Sequence, residues 1–193
     1  MKHLGTNTLE NGKLLLRRFT IDDAQAMYDN WASDPEVNKF LTWPLHTSVE
    51  VTKEILNGWI SQYDDVEFYN WAIVLKDNGD TPIGGISVVA KDNDIEMIQI
   101  GYCIGKSWWG RGIVTEALEL LVSYFFNEVK VNRVEAVYDL KNPASGKVME
   151  KCGFIHEGVM RDAGRNNQGI CDLAMDAVLA KDYVGTKYFY PND

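Results

Sequence analysis

Apolar residues change their spacing along the chain in a way that separates helices from strands. Leu14-Leu15-Leu16-Arg17-Arg18-Phe19 is a compact run that predicts a strand. Thr20-Ile21-Asp22-Asp23 then resembles a capping box. Ala24, Met27, Tyr28 and Trp31 follow at i, i+3, i+4 and i+7, one face of a helix. Asp34-Pro35 predicts a short second turn with Asp as N-cap and Pro in first position. Thr47 and Glu50 predict another capping box, opening a helix that buries Ile55, Leu56, Trp59, Ile60 and Tyr63.

The pattern then turns to strands. Phe68 to Leu75, Pro82 to Val89 and Ile95 to Ile104 are separated by short turns, Asn78-Gly79 and Lys91-Asp92-Asn93-Asp94, so they predict an antiparallel meander. A helix after Gly112 carries Val114, Ala117, Leu118, Leu121 and Phe125 on one face. Val131 to Tyr138 predicts a strand parallel to its predecessor, because a whole helix intervenes. Asn142-Pro143 opens a further helix that Gly153 closes. Phe154 to Leu179 reads as two strands around Asn166-Asn167-Gln168-Gly169. The expected fold class is mixed α/β, with an antiparallel and parallel sheet and helices on both faces.

Composition narrows the partners. Lys and Arg number 19 against 28 Asp and Glu, a formal charge of −9. That balance argues against a nucleic-acid or anionic-membrane surface, though not against a local basic pocket. Cys103, Cys152 and Cys171 are scattered, as are His3, His46 and His156, so no zinc-ligand spacing appears. Three free thiols and no export signal predict a cytoplasmic protein. No repeat or linker divides the chain, so one continuous domain over residues 1–193 is expected.

The most informative segment runs from Ile98 to Thr115, where a strand enters a glycine turn, Gly110-Arg111-Gly112, that opens a helix. The first N–H groups of a helix lack intrahelical partners and carry partial positive charge. Glycine lets a ligand approach them, which suits a phosphate or pyrophosphate. Gly105-Lys106-Ser107 ends like a nucleotide-triphosphate loop, but Ile100 stands where its first glycine belongs. Gly110-Arg111-Gly112 begins a dinucleotide fingerprint, but Thr115 replaces the third glycine and the acid Glu135 falls mid-strand. A dinucleotide-dependent oxidoreductase therefore stays open as an alternative.

Trp109-Gly110-Arg111-Gly112-Ile113-Val114 resembles the acetyl-CoA loop of the GNAT acetyltransferases, and Thr115-Glu116-Ala117 is similar to their ribosomal-protein-alanine N-acetyltransferase branch. Asn142-Pro143-Ala144-Ser145, ending in Lys151-Cys152-Gly153-Phe154, resembles that branch's later helix and exit. The order of elements matches from Leu14 to about Tyr183. The resemblance implies a GNAT-type acyl-CoA N-acyltransferase fold with a core of about 14–183. It implies acetyl-CoA as co-substrate, no metal, and a primary amine as acceptor, either a protein N-terminus or a small molecule.

It also implies residue roles. The pyrophosphate would lie on the N–H groups of Gly110, Arg111, Gly112, Ile113, Val114 and Thr115, just after Trp109. Pantetheine would pair with the strand edge at Tyr102, Cys103 and Ile104. Asn142 and Ser145 would face the same cleft, with Arg111 and Lys147 as phosphate partners. Met149 stands where many members carry a tyrosine acid, so Ser145 or solvent would protonate the thiolate. Gln99 stands where the branch often has Glu, leaving Glu96 and Asp162 as candidate bases. The acceptor cleft, between the N-terminal helices, would hold Asp34, Glu36, Trp43 and His46. Val114 replaces the usual Gly/Ala and could crowd the phosphate; with Gln99 and Met149 it keeps a non-catalytic CoA-binding regulatory domain as an alternative.

Overall fold

The structure, a computed structural model, describes residues 1–185. Two short strands, β1 (Leu9–Glu10) and β2 (Leu14–Arg17), precede three helices: α1 (Ala24–Met27), α2 (Pro35–Asn38) and α3 (Val49–Ile60). The meander follows as β3 (Asn70–Leu75), β4 (Pro82–Asp92) and β5 (Met97–Ile104). Then come α4 (Ile113–Tyr124), β6 (Arg133–Asp139), α5 (Pro143–Lys151), β7 (Ile155–Asn166) and β8 (Gly169–Leu179). They form one eight-stranded sheet in the order β1-β2-β3-β4-β5-β6-β8-β7. Every neighbouring pair is antiparallel except β5 and β6.

Alternation along the strands decides what covers each face. Leu14, Leu16, Trp71, Ile73, Ile98 and Ile100 point toward α4 and pack with its Ala117, Leu118 and Leu121. Ala72 points the other way and joins Phe19, Met27, Trp31 and Leu56 beneath α1 and α3. Each fully buried Leu or Ile in these clusters contributes roughly 1.5–3 kcal/mol. Helices thus lie on both faces, as the pattern predicts.

Several local expectations are corrected. β1 has only two residues, too few for a periodic signal. The helix that carries Trp31 is not uniform: α1 passes into a π turn at Tyr28–Ala32. Ser48, not Thr47, caps α3; it is extended (φ −157°) and its hydroxyl accepts from the Val51 N–H at 3.4 Å. The buried stripe of α3 is narrower than expected: Leu56 is fully buried while Ile55 is 40% exposed. The helix after Gly112 is buried around nearly its whole girth rather than on one face. The reason lies in the N-terminal segment, whose Gly5 carbonyl accepts from Tyr124 and whose Asn7 amide donates to it.

Candidate active site

β5 and β6 are joined at only three register positions, Met97 with Arg133, Ile98 with Val134 and Gln99 with Glu135. Beyond Gln99 the strands part. β4 carries a bulge between Val88 and Ala90, opposite Ile100 and Gln99, at the level where the gap begins. A bulge increases local twist, and here it turns β5 away from β6. The fork is fixed by buried polar contacts. Gln99 Nε2 donates to Glu135 Oε1 at 3.1 Å, and Arg133 Nε donates to Glu135 Oε2 at 2.7 Å. A carboxylate at position 99 would set two like charges about 3 Å apart, so the amide suits the fork.

The mouth of α4 lies at the open end of β5. Gly110 and Gly112 take left-handed conformations, φ 73° and 76°, and a Cβ at either would meet nothing within 4 Å. The first backbone bond of the helix runs from Glu116 N–H to the Gly112 carbonyl. Among the described residues, the N–H groups of Gly110 to Thr115 donate to no backbone carbonyl, and the space beside Gly110 and Gly112 is open. Val114 does not crowd that space, because its side chain packs in the core. Arg111 and Lys147 are exposed and form no ion pair among the described residues. Trp109 leans back instead, its indole Nε1–H donating to the Ile104 carbonyl at 2.9 Å.

The α5 side of the gap is held by Tyr102. Its hydroxyl donates to the Ser145 carbonyl at 3.0 Å and lies 2.9 Å from Ser145 Oγ. With the tyrosine proton given to the carbonyl, the Ser145 hydroxyl is the donor in the second bond. Burial raises the Tyr102 hydroxyl above its ordinary range, so it stays neutral. Burial likewise pushes the Cys103 thiol up to about 12. Asn142 occupies the N-cap position of α5, but its side chain makes no capping bond. Met149 lies in the core at 1% exposure, with no path to the gap.

The residues predicted for proton transfer and acceptor binding do not meet at one point. Glu96 precedes β5 at the closed end of the fork, and its carboxylate pairs with the Met1 amine. Asp162 sits at a bulge of β7 with φ 50°, beside a depression of about 170 Å³ that Asp139 and Asp172 also line. Asp34 caps α2 by accepting from Glu36 N–H at 2.8 Å. Glu36 is exposed, 3.9 Å from Lys106 Nζ. His46 is buried, bonded through Nδ1 to Thr52 Oγ1 at 2.8 Å and packed on Trp43 at 5.3 Å between ring centroids. Burial lowers its pKa, which favours the neutral ring.

Two residues with structural consequences for the site were not singled out as site residues from the sequence. Glu135, itself buried between Val134 and Ala136, anchors the fork, and a carboxylate inside an apolar strand is the signal the sequence offers. Asn167, in the β7–β8 turn, reaches the segment after α2; nothing local in the sequence marks that contact.

Among the described residues, no cluster of three or more His, Cys, Asp or Glu could hold a metal ion. No described helix is long and apolar enough to cross a membrane. The family model of the acetyltransferase (GNAT) domain matches residues 13–155. The "uncharacterized N-acetyltransferase p20" of Bacillus licheniformis is 29% identical over 178 residues, covering 92% of this chain and 99% of that one. The "uncharacterized N-acetyltransferase YoaA" of Bacillus subtilis is 30% identical over 153 residues, 79% of this chain and 85% of that one. The solved structure of RimL, a ribosomal L7/L12 alpha-N-protein acetyltransferase in complex with coenzyme A, superposes with a TM-score of 0.79 at 22% identity, covering 90% of this chain and 98% of that one.

Proposed function

The chain belongs to the GNAT acetyltransferase family and is an acetyl-CoA-dependent N-acetyltransferase, and from that premise we propose that it acetylates the α-amine of a peptide or protein N-terminus in the cytoplasm, using a single domain with its core over about residues 14–183. The observation that carries this reading is the three-pair fork followed by six amides that donate to no backbone carbonyl. In it the CoA diphosphate lies on the N–H groups of Gly110 to Thr115, and Arg111 and Lys147 add charge. The two amides of pantetheine pair with the edge of β5 around Tyr102 and Cys103, as an added strand would, while the Ile104 carbonyl is held by the Trp109 indole. Asn142 faces the same cleft with an uncommitted side chain. The parallel β5–β6 pair stands alone in an otherwise antiparallel sheet. That argues against a dinucleotide-binding half, so the oxidoreductase alternative is withdrawn.

Chemistry in this cleft is direct attack. The neutral amine forms an N–C bond to the acetyl carbonyl, the C–S bond breaks, and CoA leaves as thiolate. A backbone N–H of β5 at the oxyanion would supply roughly 3–4 kcal/mol. The thiolate takes its proton from solvent, directly or relayed through the Ser145 hydroxyl, which regains one from solvent; a thiol near pKa 8.5 leaves readily in either case. The ammonium proton goes to water. Glu96 is committed to Met1, and Asp162, set apart at the β7 bulge, would act only through water, so no carboxylate is dedicated to the amine. An α-amine near pKa 7.7–8.0 is roughly one-tenth neutral at pH 7, while a lysine amine near 10.4 is neutral less than about once in a thousand. A cleft without a dedicated base therefore favours the α-amine. RimL, an alpha-N-protein acetyltransferase, supports the same class. Thiol release on matched peptides, one with a free N-terminus and one N-blocked with a free lysine, tests this. The free N-terminus should react at least about tenfold faster, with mass spectrometry locating the acetyl group; a preference for the lysine defeats it.

A further inference from the structure

The tip of the β7–β8 hairpin is fastened to the segment that follows α2. Asn167 donates its backbone N–H to the Leu41 carbonyl at 3.2 Å. Its side-chain Nδ2 lies 2.6 Å from Asn38 Oδ1 and 2.9 Å from the carbonyl oxygens of Asn38, Leu41 and Trp43. One amide nitrogen thus sits among four oxygens contributed by residues 124 to 129 positions away. Asn38 is itself 4% exposed and donates its own amide to the Trp43 carbonyl at 2.9 Å. The other end of the tip is tied to the gap. Asn166 Nδ2 donates at 2.7 Å to Asp139, the last residue of β6, the strand that walls the opening.

The arrangement is a strap. It runs from the wall of the β5–β6 gap, through Asn166 and Asn167, to the loop on the side from which an acceptor must come. It contacts none of the six amides at the mouth of α4. We propose that Asn167 is a positioning residue for the acceptor: it holds the 38–43 segment closed against the hairpin, fixing the width of the acceptor entrance without contributing to acetyl-CoA binding. This rests on the acyl-transfer reading above but not on which amine is preferred. In Asn167→Ala the four oxygens lose their shared donor; in Asn167→Asp a carboxylate faces them and the segment is released.

The test pairs a kinetic split with a probe that needs no acceptor. Both variants are assayed with the better of the two peptides above, and acetyl-CoA binding is measured by calorimetry. The acceptor KM should rise about tenfold in Asn167→Asp and less in Asn167→Ala, while the Kd for acetyl-CoA stays within about twofold. Trypsin cleavage after Lys39, an exposed residue inside the strapped segment, should quicken about tenfold in Asn167→Asp. Acetyl-CoA Kd rising in step with the acceptor KM, or cleavage after Lys39 at the wild-type rate, overturns the proposal. A wild-type protein that acetylates only the lysine peptide refutes the α-amine reading and leaves the Asn167 test intact. If Asn167→Asp does not fold, Asn167→Ala carries the same three measurements.

Discussion

The two sides of the cleft are built from different materials. In the proposed reading, the acyl carrier meets main chain on the thioester side: the edge of β5 beyond Gln99 and six N–H groups within the short stretch from Gly110 to Thr115. On the proposed acceptor side, loops far apart in sequence are fastened by side chains, with Asn167 bridging 129 positions to Asn38. Main-chain donors are supplied by any sequence that makes the turn, so glycine and the helix start suffice. A side-chain clasp depends on one residue type at one position. The first design tolerates most substitutions except those that alter charge or backbone shape, whereas the second is sensitive residue by residue.

The largest expected effect breaks the thioester side. Gly112→Asp places a carboxylate at the mouth of α4, beside the proposed diphosphate, and acetyl-CoA affinity should fall on the order of 100-fold. Gly112→Asn is the control, since it carries the same strain at φ 76° without the charge; it should lose no more than about tenfold. Equal losses in the two variants would mean that the diphosphate does not sit there. Calorimetry with acetyl-CoA separates the outcomes, and the Asn167 variants supply the matching intermediate effect on the other side.

A smaller effect sharpens the acceptor side. His46 is buried with a lowered pKa, so the unfolded chain binds its proton more readily than the folded one. Its contribution is fully present above the ordinary histidine pKa of about 6.5 and is lost as pH falls through the lower folded value. Thermal melts should therefore show the protein losing stability between neutral and mildly acidic pH, and His46→Gln should flatten that slope. The same variant should keep kcat within about threefold, because His46 is bound to Thr52 rather than presented to an amine. A collapse of kcat with an altered pH profile would make His46 the base instead.

How much of this was legible in the sequence follows the same division. The glycine turn, the parallel crossover and the Asn142-Pro143 helix start were readable, because each is a local signal tied to backbone geometry. The fork's position was not, since it depends on a bulge in β4 acting on β5. Thr47 and Ser48 both suit a cap, so the sequence does not choose between them, and in the fold it is Ser48 whose hydroxyl accepts from Val51 N–H. Glu96 looked available in sequence, yet the chain's own amine reaches it from 95 residues away. Asn167 read as an ordinary turn residue, and its four oxygens belong to a segment that no periodicity connects to it.

The most direct measurement is a titration of the isotope-labelled protein with coenzyme A, followed through its backbone amide resonances. The largest changes should fall on Gly110 to Thr115 and on Ile100 to Ile104, with Asn38, Leu41 and Asn167 nearly still. Changes concentrated on the β7–β8 hairpin, with Gly110 to Thr115 unmoved, would contradict the placement of the acyl carrier in the fork.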